Sequence, residues 1–145
     1  MPLQTGYYTI AIYSDDRPEV GSDLKGAGST YPVVIYGGHR AWYIQEPDDP
    51  ASDTYIVALS PYRPDLKVAC TKGENNTVVI RAGQPLQKWR LELVGPFDDR
   101  YSIQVPDSGP FPLAWRFDAS GGSTAITLEP IEFVDWEHTF IIRPL

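Results

Sequence analysis

The chain has 145 residues and a formal net charge of −7 at neutral pH. A chain of this length builds one domain with a sizeable core, and its negative charge excludes nucleic acid and an anionic membrane surface as expected partners. Fourteen Pro and twelve Gly, with nine Tyr, five Phe and four Trp, favour short strands joined by turns over long helices.

The first strand reads Tyr7-Tyr8-Thr9-Ile10-Ala11-Ile12-Tyr13. A polar turn, Ser14 to Glu19, leads to a weak strand over Val20 to Leu24. Lys25-Gly26-Ala27-Gly28-Ser29-Thr30 is an exposed loop. Pro32 to Tyr36 is the third strand, and Trp42 to Gln45 the fourth. The pattern then begins again. Tyr55 to Leu59 matches the first strand, Leu66 to Cys70 the second, and Val78 to Ile80 the third, with Val78 aligned with Val33. Gln87-Lys88-Trp89 leads the fourth. The third copy starts at Tyr101, continues through Leu113 to Phe117 and Ala125 to Leu128, and ends in Phe140-Ile141-Ile142. There Ile126 is aligned with Val79.

Tyr8, Tyr55 and Tyr101 recur at a period of about 47 residues, as do Trp42, Trp89 and, slightly later, Phe140. A repeat of this kind marks an architecture in which one copy cannot bury its apolar face alone. Twelve short strands in three groups of four describe an all-β chain of the β-trefoil class: a six-stranded barrel capped at one end by three hairpins, with copies of about 6–50, 51–98 and 99–145 in one domain. Closure leaves no exposed barrel edge. The recurring tyrosines and the Trp42, Trp89 and Phe140 set are read as packing residues.

Cys70 is the only cysteine, so it has no disulfide partner in the chain, and no cysteine-based metal site is expected. A buried, inert thiol is the expectation. Asp15-Asp16, Asp48-Asp49 and Asp98-Asp99 fall in polar turns, where Asp caps local backbone groups. Sequence neighbours do not form a catalytic carboxylate pair, so no catalytic residue, cofactor or metal is expected. Residues 1–6 carry no basic segment followed by an apolar run, and no apolar stretch has membrane-spanning length. The expectation is a cytoplasmic, monomeric binding protein.

Thr5-Gly6-Tyr7-Tyr8-Thr9-Ile10 and the start of the third copy resemble small β-trefoil proteins of mushrooms. These include the cospin-type serine protease inhibitors, the mycocypins that block cysteine proteases, and the ricin-B-like lectins. Val20-Gly21-Ser22-Asp23-Leu24, Pro32-Val33 and Thr124 to Ile131 resemble the cospin type most. That resemblance implies a fungal defence protein that inhibits a trypsin-like serine protease through a loop on a rigid barrel. Lys25, Gly26 and Ala27 are then the first candidates for the protease-binding loop, since the cospin type uses the loop between its second and third strands. Lys72 occupies the matching loop of the second copy. Arg63, which precedes Pro64, and Arg17 are further candidates. The mycocypin resemblance implies papain-like cysteine proteases as alternative partners, blocked by segments around Arg17 to Gly21 and Pro61 to Asp65. The lectin resemblance rests on Gln87-Lys88-Trp89 and implies a glycan partner. A ricin-type trio of Asp, aromatic and Asn or Gln is not found in any copy, so Trp115 or Trp136 would supply the sugar-stacking ring. Trp115 alternates with Ala114 and Arg116, as a core residue also would; Trp136 lies between two acidic residues, as an exposed one would.

Overall fold

A computed structural model of the protein describes residues 3–14, 16–24, 30–49, 51–60, 68–82, 87–106, 109–118, 120–132 and 135–145. The first copy contributes β1 (Gly6–Ile12), β2 (Val20–Gly21), β3 (Thr30–Pro32), β4 (Val34–Ile35) and β5 (Trp42–Gln45). The second contributes β6 (Thr54–Leu59), β7 (Val68–Lys72), β8 (Val78–Ala82) and β9 (Trp89–Leu93). The third contributes β10 (Arg100–Gln104), β11 (Leu113–Arg116), β12 (Thr127–Pro130) and β13 (Phe140–Pro144). Short 3-10 turns lie at Glu74–Asn76 and Trp136–His138.

Six strands close a ring in the order β10, β13, β1, β5, β6, β9, with β9 pairing back onto β10. Every pairing in the ring is antiparallel. The register repeats with the copies: Tyr8 lies opposite Trp42, Tyr55 opposite Trp89, and Tyr101 opposite Phe140. The β2–β4, β7–β8 and β11–β12 hairpins form the cap. This is the β-trefoil.

The three copies are tied together at the cap by main-chain bonds. Val33 N–H donates to the Val78 carbonyl (3.0 Å), Val78 N–H to the Ile126 carbonyl (3.1 Å), and Ile126 N–H to the Val33 carbonyl (2.9 Å). The three bonds form a closed cycle, and all three residues are buried. The cycle makes Ile126 equivalent to Val78 rather than to Val79, a correction of one position. Among the described residues thirteen strands replace the expected twelve, because β3 pairs with β8 and β4 with β2. Val33 gives its amide to the cycle, and the third strand of the first copy is interrupted there as β3 and β4.

Below the cycle, Trp115 stands in the middle of the aromatic layer. Its ring lies 6.2 Å from Trp42, 5.7 Å from Trp89 and 5.7 Å from Phe140, edge to face in each case. All four rings are fully buried. Edge-to-face contacts align ring quadrupoles favourably. Trp42 and Trp89 also donate their indole N–H to the carbonyls of Val20 (2.8 Å) and Cys70 (3.0 Å). The hairpin register makes Val20, Cys70 and Trp115 equivalent positions on the second strands, since they lie opposite Ile35, Ile80 and Leu128, each two residues after a member of the cycle. Two are filled by small side chains, and Trp115 fills the space that they leave at the axis. Phe140 has no indole N–H to place on the corresponding carbonyl.

The three tyrosines form another buried layer of the wall. Tyr8 donates its hydroxyl to the Gln4 carbonyl, and Tyr101 donates to that of Asp98. Burial is the main cause that pushes all three phenols above their ordinary pKa, and charge repulsion between neighbouring tyrosines adds to the rise at Tyr55 and Tyr101. Burial likewise pushes the Cys70 thiol well up.

Three outcomes follow for stability. Trp115→Ala leaves the axis empty and should cost about 3–5 kcal/mol in urea unfolding, because the layer cannot collapse from three sides at once. The raised phenols hold their protons more tightly in the folded chain than in the unfolded one. Their stabilising contribution is therefore complete below about pH 10 and is lost as pH rises through the raised values. The urea midpoint should fall above about pH 10, and Tyr101→Phe should flatten that fall; an unchanged midpoint to pH 11 in the parent would contradict this. Cys70 should react with a thiol reagent only after unfolding, at a rate set by chain opening.

Candidate functional site

Lys25, Gly26 and Ala27, the first candidates for the protease-binding loop, lie outside the described residues, as does Arg63. The stem that leads into Lys25 is well defined. Ser22 is fully buried and exchanges both main-chain bonds with His39, each 2.9 Å. Its hydroxyl accepts from the Leu24 N–H (3.1 Å), and the Asp23 carboxylate accepts from the Gly38 N–H (2.8 Å). Leu24 ends the stem with φ of 54°, a left-handed conformation that costs a non-glycine residue of order 1 kcal/mol. Gly21 and Gly37 allow this close approach. A Cβ on Gly21 would collide with the His39 carbonyl, and one on Gly37 with the Ser22 amide. On the far side, Thr30–Pro32 pairs with β8, Thr30 opposite Arg81. Both ends of the segment 25–29 are thus held by main-chain bonds.

Lys72 is exposed, but it closes β7 opposite Val78 rather than opening a loop. The turn beyond it is tight, with Gly73 N–H donating to the Thr77 carbonyl (2.8 Å) and Asn75 and Asn76 both left-handed. Trp115 is corrected more sharply: it is wholly enclosed by the aromatic layer and has no face to offer a sugar. Trp136, in contrast, is 44% exposed.

Arg17 and Trp136, far apart in sequence, line one cleft together with Tyr13, Ser14 and Arg100. The cleft has a volume of about 550 Å³. The barrel register brings it together. β13 lies between β1 and β10, with Ile12 opposite Phe140 and Arg100 opposite Ile141. Tyr101 points into the core, so the adjacent Arg100 projects from the outer wall. Its guanidinium lies 4.3 Å from the Tyr13 ring centre and 3.5 Å from that of Phe97. Nη1 donates to the Tyr13 hydroxyl (3.2 Å).

The charge of Arg100 is poorly compensated. Asp99 is its nearest carboxylate among the described residues, at 4.0 Å. The other oxygen of Asp99 accepts from Nε and Nη2 of Arg143, both at 2.9 Å. Nε of Arg100 is buried and has no hydrogen-bond acceptor among the described residues. Arg17 is exposed and left-handed at φ of 45°. Its N–H donates to the Ser14 carbonyl (3.1 Å), and Ile12 N–H donates to the Pro18 carbonyl (2.9 Å), which fixes the turn that presents it.

Trp136 is equally well held. Asp135 caps its 3-10 turn by accepting from the Glu137 N–H (3.0 Å). Glu137 pairs with Arg116 (3.0 Å), which also meets Glu129 (3.2 Å), and Phe117 N–H donates to the Glu137 carbonyl (3.1 Å). The indole therefore sits on a turn stapled to β11 and β12. The sequence marks Arg17 and Trp136 for different purposes and does not single out Arg100. Its place after the Asp98-Asp99 turn gave no sign that it would lie on two aromatic rings.

The fold defines the class of protein before any comparison: a β-trefoil whose candidate sites are loops and one cleft. The sequence matches no protein-family model and no curated protein. Solved structures do match. A proteinase inhibitor from Coprinopsis cinerea aligns with a TM-score of 0.76 at 11% identity, covering 99% of both chains. The ricin B-like lectin of Macrolepiota procera, solved with lactose, aligns with a TM-score of 0.70 at 12% identity, over 100% of this chain and 99% of that one. A designed three-fold symmetric protein, ThreeFoil, aligns with a TM-score of 0.67 at 16% identity. At these identities the likeness establishes the fold, shared by inhibitor, lectin and design alike.

Removing the tight approach at the stem tests whether the loop depends on it. Gly21→Ala should destabilise the chain by about 1–3 kcal/mol, since the added methyl meets main chain that cannot step aside. Increased cleavage at 25–29 under limited proteolysis would report the released loop.

Proposed function

We propose that the protein is a protease inhibitor that acts by presenting the segment 25–29 to a serine protease of trypsin-like specificity. The observation that carries this reading is the clamping of both ends of that segment, by Ser22, Asp23 and Gly37 on one side and by the β3–β8 ladder on the other. A loop held in one shape loses little entropy on binding, which is what a tight inhibitor needs. Lys25 supplies the basic side chain that a trypsin-like specificity pocket accepts. The end-to-end likeness to the Coprinopsis cinerea proteinase inhibitor supports the same reading.

Glycan binding is the second reading. It is favoured by the half-exposed Trp136 at the rim of the cleft and by the likeness to the Macrolepiota procera lectin. Inhibition of a papain-like protease through the turn at Arg17 is a third mode on the same scaffold.

Titration of trypsin, chymotrypsin, subtilisin and papain with the protein separates these readings. Inhibition of trypsin that Lys25→Ala weakens at least about 100-fold, or about 2.7 kcal/mol, is the expected result. Inhibition that survives Lys25→Ala would move the site to another loop. Full activity of all four enzymes at saturating protein would end the inhibitor reading.

A further inference from the structure

The cleft between the first and third copies runs against the charge of the molecule. The chain carries −7 overall, yet the charged residues among those described as lining the cleft are two arginines, Arg17 and Arg100. Among the described residues the buried Nε of Arg100 has no hydrogen-bond acceptor, and the nearest carboxylate, Asp99, lies 4.0 Å away. Its nearest carboxylate already receives two bonds from Arg143. Arg17 forms no side-chain hydrogen bond or ion pair with the described residues, and its turn holds it in a conformation that an arginine adopts only at a cost. A cleft lined by arginines in an acidic protein concentrates anions locally. Guanidinium groups match the planar, two-oxygen geometry of a carboxylate.

The remaining lining narrows the ligand. The exposed Trp136 indole offers an apolar face, Tyr13 lines the wall beneath Arg100, and Ser14 offers a hydroxyl that both donates and accepts. A volume of about 550 Å³ suits a small molecule of one or two rings rather than an extended peptide. Aromatic faces stack on the C–H face of a sugar ring, and the ring hydroxyls pair with a serine.

We propose that this cleft binds a saccharide bearing a carboxylate, such as a uronic or sialic acid residue, with the ring against Trp136 and the carboxylate held by Arg17 beside Arg100. The proposal deepens the glycan reading and stands apart from the inhibitor reading, which uses the segment 25–29.

The test uses the fluorescence of the full chain. Trp42, Trp89 and Trp115 are wholly buried, so Trp136 alone reports at the surface. Galacturonate oligomers and a sialyl disaccharide are titrated in parallel with their neutral counterparts, inorganic phosphate and an acidic peptide. The carboxylated saccharides should change the emission with one-to-one stoichiometry and bind at least about tenfold more tightly than the neutral sugars. Calorimetry of Trp136→Ala and Arg17→Gly should each show a loss of about tenfold or more. Arg17→Gly suits this purpose because glycine accepts the left-handed turn, so the side chain with its guanidinium is lost without backbone strain. Lys25→Ala should leave saccharide binding unchanged, which separates this site from the protease loop. Equal affinity for neutral sugars, binding that survives both cleft variants, or binding of phosphate or peptide in place of the saccharides would overturn the proposal, as would no binding at all.

Discussion

Three hydrogen bonds around the pseudo-three-fold axis hold the architecture in place. Val33, Val78 and Ile126 each give an amide to one neighbouring copy and a carbonyl to the other. No copy can satisfy these buried groups within itself, and an unpaired buried main-chain group costs about 1–3 kcal/mol. The cycle is therefore all or none: displacing one copy leaves donors and acceptors unmet in the other two. Everything that differs between copies has to be accommodated around this fixed point. The aromatic layer shows how. The Val20 and Cys70 positions are small, Trp115 is large, and the one axial space is filled by a single indole rather than by three similar side chains.

The same constraint organises the surface. With the barrel fixed, loops can vary without risk to the core, and each candidate site lies on a connection rather than on a barrel strand interior. The segment 25–29 spans two anchored ends. The cleft is built from the turn after β1, the start of β10 and the 3-10 turn before β13. Rigidity is supplied locally in each case: by close glycine contacts at the stem, by stacking of Arg100 on Tyr13 and Phe97, and by the Arg116 and Glu137 pair behind Trp136. Both regions start from the first copy, but the segment 25–29 is anchored against the second copy and the cleft is completed by the third, so one scaffold can offer two separate surfaces.

The barrel was legible in the sequence because its signal is periodic. Tyr8, Tyr55 and Tyr101 recur with an aliphatic residue two positions on, and Trp42, Trp89 and Phe140 mark the partner strands that the register sets opposite them. Errors began where periodicity stopped. Ile126 was placed one residue out because the third copy spends a different number of residues on its hairpin, and only the cycle of main-chain bonds fixes the offset. Trp115 was read two ways because Ala114 and Arg116 flank it, a pattern compatible with either face of a hairpin. Arg100 was missed because its surroundings are tertiary. Tyr13 and Trp136 reach it only through the strand that runs between them, and no window of sequence contains all three.

The seam of the barrel has a kinetic meaning. β13 lies between β1 and β10, so the first strand of the chain finds one of its two neighbours only when the last has been made. Until then the ring is open, and β1 and β10 each present an unpaired edge. Pairings of such long sequence separation must overcome loop-closure entropy before they are rewarded, and they slow folding accordingly. During synthesis the emerging chain carries two free edges for most of its length, the arrangement that invites pairing with another chain. Insertion of β13 ends that exposure in one step, converting an open sheet into a closed wall.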